Sequence, residues 1–508
     1  MFKDEVRPRG GFTRRHALRV AGAVAAVAAG GTTLAACAAS AATGGSSAAG
    51  KAPALPQPYA GATVLYFQPN YQGAVQWNQT TKTLYQQFVD QNFNNNPAYK
   101  GIWAKVYPSG WGNAAGQIAA TLAGSGYADI VLVCCSDVPT LEQAHFLTPL
   151  NELMKQDNLD PLALFSKGHL EADSLAGTLY GLPSYDGTTC IFYGQDILDQ
   201  LGLQYPNPNW TYTEAEQIWT ASAGTVSAGG KQAHRAGVSL YWNSPYEMIN
   251  WWMHGWGATE MDPQQTRATM ASAQGAACLS YAVGMARSGV AVNARGLHQI
   301  LNNQAVFVMA HSSYVVNAAE FLGNKIKWNI LPMPVWPAGR ATFVTIDMYG
   351  MNNATKHPKE TWELMKWINI GAPKGNGFDP AWPKFQIQVN LITPALKSLW
   401  SYWEQTITQV APPLKGKDLK WFADASLKGY GYPTIFFKYQ PVAATNVVNT
   451  WFNEAWSGKV SPQLALQQMQ TQINALEVAG AQETGLSSAA AKAFPVKGNA
   501  IAAVTPGL

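Results

Sequence analysis

The chain is poor in charge, in cysteine and in histidine for its length. Asp, Glu, Lys and Arg make up 13% of 508 residues, beside five cysteines and eight histidines. The histidines are scattered without metal-ligand spacing, and no HExxH, GxSxG or GxxxxGK(S/T) motif occurs. These absences count against zinc hydrolases, serine hydrolases of the nucleophile-elbow type and phosphate-loop enzymes, and neither a metal nor another cofactor is expected. No Lys/Arg cluster beyond the amino-terminal segment resembles a phosphate-tracking stripe, so no nucleic-acid partner is expected either.

The first forty residues read as an address. Thr13-Arg14-Arg15-His16-Ala17-Leu18-Arg19 has the arrangement of a twin-arginine export signal, with Arg14 and Arg15 as its pair. The uncharged run from Val20 to Ala36 is short for a bilayer and largely Ala and Gly. It ends in Leu34-Ala35-Ala36-Cys37, which reads as a lipobox. Residues 1–36 are therefore expected to be a lipoprotein signal peptide, with cleavage before a lipidated Cys37 and attachment to the membrane through that lipid. Lys3, Arg7, Arg9, Arg14, Arg15 and Arg19 against Asp4 and Glu5 account for the whole net charge of +4, so the exported part is formally neutral. The expected location is the outer face of the bacterial cytoplasmic membrane, extracellular or periplasmic.

Residues 37–60 hold Ala, Ser, Gly and Pro with little to build a core and read as a flexible tether; 481–508 read as a low-complexity tail. The remaining cysteines, Cys134, Cys135, Cys190 and Cys278, fit neither a zinc site nor a small disulfide scaffold. Cys134 and Cys135 end the apolar run Ile130-Val131-Leu132-Val133 and are expected as buried strand-end thiols.

Between tether and tail the periodicity alternates. Thr63–Phe67, Lys105-Val106-Tyr107 and Ile130–Val133 read as strands, and a helix carrying Leu84, Phe88 and Val89 on one face follows the first. Such alternation predicts an α/β chain with open sheets, which bind ligands beyond the carboxyl ends of their strands. Gln68, Asn70, Tyr71 and Asp137 stand just past such ends and are candidate ligand contacts.

The order of segments then resembles a family. Ala128-Asp129-Ile130 with Phe146-Leu147-Thr148-Pro149-Leu150, Gly177–Pro183 (GTLYGLP), Ile191–Asp196 (IFYGQD) leading to Leu201-Gly202-Leu203, Asn303–Met309 (NQAVFVM), Leu331–Pro334 (LPMP) and Pro358–Leu364 (PKETWEL) follow one another as in the type 1 extracellular solute-binding proteins, the sugar-binding subunits of ABC importers that include maltodextrin-binding proteins. His311-Ser312-Ser313-Tyr314 replaces the family's usual Gly-containing turn. The closing helix fits too, with Ser461 as cap, Pro462 in the first turn and Leu466, Met469, Ile473 and Leu476 at helical spacing.

The resemblance implies a two-lobed periplasmic-binding-protein fold of type II with flanking helices, the chain crossing between lobes near Ser184–Gly187, Thr345–Tyr349 and Leu391–Ser398. Lobe 1 would hold 61–184 and 350–394, lobe 2 185–349 and 395–480. A carbohydrate, mono- or oligosaccharide, would sit between the lobes and pass to ABC permease subunits, with the chain monomeric and not an enzyme. Nineteen tryptophans agree with this, since sugar rings lie flat on aromatic faces. Tyr185 and Asp186 at the first crossing, Asp347 at the second, Tyr246 in a Ser-Pro-Tyr corner, Trp252 and Trp256 on the helix after it, Tyr314 and Phe437 complete the candidates. Two alternatives stay open: a secreted glycoside hydrolase using Asp186 and Asp347 as its carboxylate pair, and a peptide-binding lipoprotein.

Overall fold

The computed structural model describes residues 57–69, 79–107, 128–134, 137–228, 231–240, 245–294 and 296–483. Arg14, Arg15, Cys37, Asn70 and Tyr71 lie outside these residues, as does the side chain of Tyr246. No helix among the described residues is long and apolar enough to cross a membrane.

Among the described residues eleven strands form the main sheet: β1 (Thr63–Phe67), β2 (Ile102–Val106), β3 (Ile130–Cys134), β4 (Gly181–Gly194), β5 (Gly224–Ala228), β6 (Lys231–Ser239), β7 (Ala291–Val292), β8 (Ala305–His311), β9 (Trp328–Leu331), β10 (Thr342–Met351) and β11 (Gly431–Pro433). Their order is β2-β1-β3-β10-β4-β8-β6-β5, with β9 beside β4, β11 beside β10 and β7 beside β6. β1 runs parallel to β2 and β3, while β10 is antiparallel to both β3 and β4. The helices used below are α1 (Gln79–Val89), α2 (Val138–Gln143), α3 (Lys167–Ala172), α4 (Pro245–Gly255), α5 (Pro358–Asn369), α6 (Ala381–Asn390), α7 (Lys420–Leu427) and α8 (Pro462–Glu483).

An unbroken apolar run means a strand covered on both faces, and β3 shows why: Ile130 and Leu132 pack into the large core, Val131 and Val133 into a second cluster with Val138, Leu141 and Phe146. Cys134, at the strand end, is half-buried rather than buried, Cys135 lies outside the described residues, and Cys190 and Cys278 are buried free thiols. Burial follows the expected face of α1, with Val89 enclosed and Leu84 and Phe88 packed against the core.

β4 is the central element. Thirteen of its fourteen residues are buried, Ser184 being half-buried. Residues 181–188 pair with β10, after which β8 takes one edge at 189–193 and β9 the other at 191–194. The β4–β10 register shifts between Asp347 and Met348, leaving Ser184 as an extra residue whose hydroxyl donates to the Asp347 carbonyl at 3.0 Å. Gly187 is required beside it, because a Cβ there would collide with the Thr345 side chain.

The tryptophans are spent mostly on packing. Twelve are buried among the described residues, and Trp382 alone meets Phe67, Tyr85 and Trp367 at ring separations of 5.2, 5.7 and 5.6 Å. Tryptophan abundance therefore reports chiefly the core, a correction to its reading as a sugar signature.

α8 starts as expected, Ser461 Oγ accepting from Leu464 N at 3.2 Å, with Leu466, Met469 and Ile473 buried beneath it. Near its end the Glu477 carboxylate accepts from Tyr439 N at 3.0 Å and Gln440 N at 2.8 Å. Burial outweighs those bonds and pushes its carboxyl up to about 7. A carboxyl raised in the folded state favours folding when protonated, so stability should fall as pH rises from about 4.5 to about 7. Urea unfolding of Glu477→Gln across this range should give a flatter pH profile than the parent.

Candidate functional site

The site is built where three distant segments meet. Tyr185 and Asp186 of β4 lie opposite Asp347 and Ile346 of β10, Tyr185 also bridges to Pro394, and Asp186 N donates to Thr393 O at 3.2 Å. Ser312, just beyond β8, donates to the Asp186 carbonyl at 2.9 Å and lies 2.7 Å from the Thr393 hydroxyl. The segments expected as crossings are thus neighbours in space, although they are separated by some 160 and 45 positions in sequence (roughly 700 Å of extended chain in all).

Asp186 does not face a ligand. It is wholly buried, its Oδ1 accepting from Thr188 N at 2.8 Å and its Oδ2 receiving the Ser426 hydroxyl from α7, with His169 Nε2 of α3 at 2.9 Å. Its carboxylate is consumed in joining α3, β4 and α7. A hydrolase pair of Asp186 and Asp347 is excluded by the same bonds, since a nucleophile or acid needs free lone pairs or a proton directed at substrate.

Three other candidates are corrected by burial. The Gln68 side-chain oxygen accepts from Leu132 N at 2.9 Å and stitches β1 to β3. Trp252 packs between Trp251 and Trp336, with centroids 5.4 and 5.5 Å away, and has no open ring face. Phe437 is enclosed in the core. Trp256 is half-buried against Tyr212 and Tyr281, at 5.5 and 5.4 Å, as part of the same aromatic group.

The remaining candidates are polar or carry a hydroxyl. Tyr185 is buried; burial raises its hydroxyl, partly offset by hydrogen bonding to Ser313 and reinforced by the Asp347 charge. Asp347 is buried opposite Cys134, at the carboxyl end of β3. Asp137 precedes α2, is half-buried, makes no cap bond to the helix, and has its carboxyl raised by burial. Tyr314, half-buried, follows Ser313 in the turn after β8. Sequence reasoning missed His169, Asp173, Ser312, Ser313, Thr393 and Ser426; only the unusual His311–Tyr314 turn carried a local signal, through its departure from the expected glycine.

A cavity of about 20 Å³ lies beneath the same segments, lined by Pro183, Ser184, Tyr349, Trp382, Gln386 and Pro394 among others. It has room for a water molecule and none for a sugar.

Residues 76–369 match the model of the family described as bacterial extracellular solute-binding protein. A Brucella abortus (strain 2308) protein named as a binding protein is 23% identical over 209 residues, 40% of this chain and 50% of that protein; the chain thus spans about half the length of the curated relatives it matches. Among solved structures, the sugar-binding protein MalE of Xanthomonas citri superimposes with a TM-score of 0.63 at 17% identity, covering 84% of this chain and 100% of that one. The cyclic alpha-maltosyl-1,6-maltose binding protein of Arthrobacter globiformis gives 0.63 at 16% identity, over 82% and 99%. A solute-binding protein of Thermotoga lettingae TMO, bound with alpha-D-tagatose, gives 0.57 at 14% identity, over 82% and 100%. These likenesses are to the fold: mixed α/β, with helix-flanked sheets.

Asp186→Ala should cost about 3–5 kcal/mol, because His169, Ser426 and Thr188 lose their shared acceptor inside the protein. Urea denaturation reads the loss. A change under about 1 kcal/mol would return Asp186 to the list of ligand contacts.

Proposed function

The chain belongs to the bacterial extracellular solute-binding protein family, and we propose that its solute is a carbohydrate, bound between two lobes by Asp137, Asp347, Tyr185 and Tyr314 and delivered to an ABC permease. It is a binding receptor and not a catalyst. The lobes in this reading are 61–184 with 350–394 and 185–349 with 395–480.

The observation that carries the reading is the meeting of Tyr185, Asp347, Ser312 and Thr393, from four separate segments, at the strand junction. Hydroxyl-rich solutes need acceptors and amphoteric hydroxyls, whereas phosphates need cationic donors. Sugars in the names of structures sharing this fold support the same class, from a ketohexose to maltodextrin-like molecules. A solute touching both lobes only when they close would shift the population towards the closed form.

Export by the Arg14-Arg15 signal and anchoring through Cys37 complete the proposal. Cys37→Ala should abolish fatty-acid labelling; equal incorporation in both forms would remove the anchor.

A thermal-shift screen of mono- and oligosaccharides should identify a solute that raises the midpoint without being altered. At 100 times its dissociation constant such a solute adds about 2.7 kcal/mol. Asp137→Asn and Tyr314→Ala should each weaken it by about 1–3 kcal/mol in calorimetry, with scattering showing compaction of the parent on binding. Products from the sugar, or binding without compaction, would overturn the reading.

A further inference from the structure

One carboxylate beside the junction is buried without a partner. Asp173 follows α3, is wholly buried, and neither of its oxygens has a hydrogen-bond partner. Its backbone is held on both sides, the N–H donating to His169 O at 3.2 Å and the carbonyl accepting from Tyr180 N at 2.9 Å. The side chain therefore cannot escape to water by a small local shift.

The groups acting on it only aggravate the imbalance. Burial raises its carboxyl well above the usual range, and the Asp347 carboxylate and Cys134 thiol, which face each other across β10 and β3, push the same way. On the same stretch, His169 places its Nε2 2.9 Å from Asp186 Oδ2 and makes no hydrogen bond to Asp173. Among the described residues, no Lys or Arg makes a hydrogen bond to the Asp173 carboxyl. A buried acid without donor or counter-charge is costly, and its natural complement is a group that brings both.

An inorganic cation lacks a donor set here: no three His, Cys, Asp or Glu among the described residues stand close enough to hold a metal. A sugar hydroxyl supplies one donor and no charge, whereas an ammonium supplies three donors and a positive charge. We propose that the solute is a sugar bearing a protonated amine, which Asp173 receives together with Asp347. This rests on the carbohydrate reading above and narrows its substrate class. Contact requires the lobes to part at this junction, the motion that reading already contains. On binding, the Asp173 carboxyl loses its proton to solvent and its oxygens accept the ammonium N–H groups; no other bond is made or broken.

The test uses the mature chain and hexoses in three forms at carbon 2, hydroxyl, amine and acetamide, as monosaccharides and as disaccharides. In calorimetry at a pH where the amine is charged, the amine form should bind about tenfold or more tighter than its hydroxyl partner. Its binding should release up to about one proton, seen as a dependence of the heat on buffer, while the hydroxyl form releases none. Asp173→Asn should erase the preference and the proton release, with circular dichroism and the urea unfolding midpoint showing that the variant is folded. Equal or tighter binding of the neutral forms, or a preference that survives Asp173→Asn, overturns the proposal and leaves carbohydrate binding intact. Failure of all three forms to bind removes the carbohydrate reading itself.

Discussion

The fold depends on one strand that serves two sets of neighbours in succession. β4 leaves β10 at Thr188 and joins β8 and β9 within three residues, so its backbone hydrogen bonds are handed from one group of strands to another with hardly a break. A strand under that constraint can turn only where pairing changes, and the special features gather there: the extra residue at Ser184, the missing Cβ at Gly187 and the buried Asp186. Paired strands resist free rotation, so motion at such a junction is a bend shared by several residues.

Enclosing a carboxylate at this point carries a desolvation cost, and Asp186 offsets it by collecting partners from α3, from α7 and from its own strand. The arrangement fixes register as well as energy. A slip of one residue would place the Tyr185 ring against His169 and turn Asp186 towards the opposite face. Asp173 lies four residues from His169 on the same short stretch, yet has none of these partners. The two acids share burial and separate only in satisfaction, which is why one belongs to the scaffold and the other invites a ligand.

Strands and caps were legible because their causes are local. The run Ile130–Val133 announces a strand covered on both faces, and Ser461 with Pro462 announces a helix start; both stand as expected. The ordered string of segments from Ala128 to Leu364 also carried the family, since each piece marks a strand entry or a turn at a fixed place in the topology. Side-chain roles were less legible. Gln68 follows a strand end as expected of a ligand contact, but its amide oxygen closes a gap between β1 and β3 that only the third dimension creates. Trp252 and Phe437 have the residue types of a sugar platform, and the packing of Trp251, Trp336 and the surrounding core decides otherwise. Asp173 had no local signal at all, because its meaning lies in Asp347 and Cys134, distant in sequence.

Among the described residues most tryptophan rings are committed to the interior, and in the function proposed above recognition falls on acids and hydroxyls. That division has an energetic consequence. An aromatic platform binds many sugars with modest discrimination, because every ring offers an apolar face. Buried polar groups discriminate strongly, because a solute that lacks the matching donor leaves them unpaired in a medium that cannot replace water. The penalty arises only when water is excluded, hence only in the closed arrangement of the lobes. In the proposed reading, specificity and closure are then the same event: a solute that mismatches the carboxylates gains little from closing the cleft, and a solute that completes them favours the closed form.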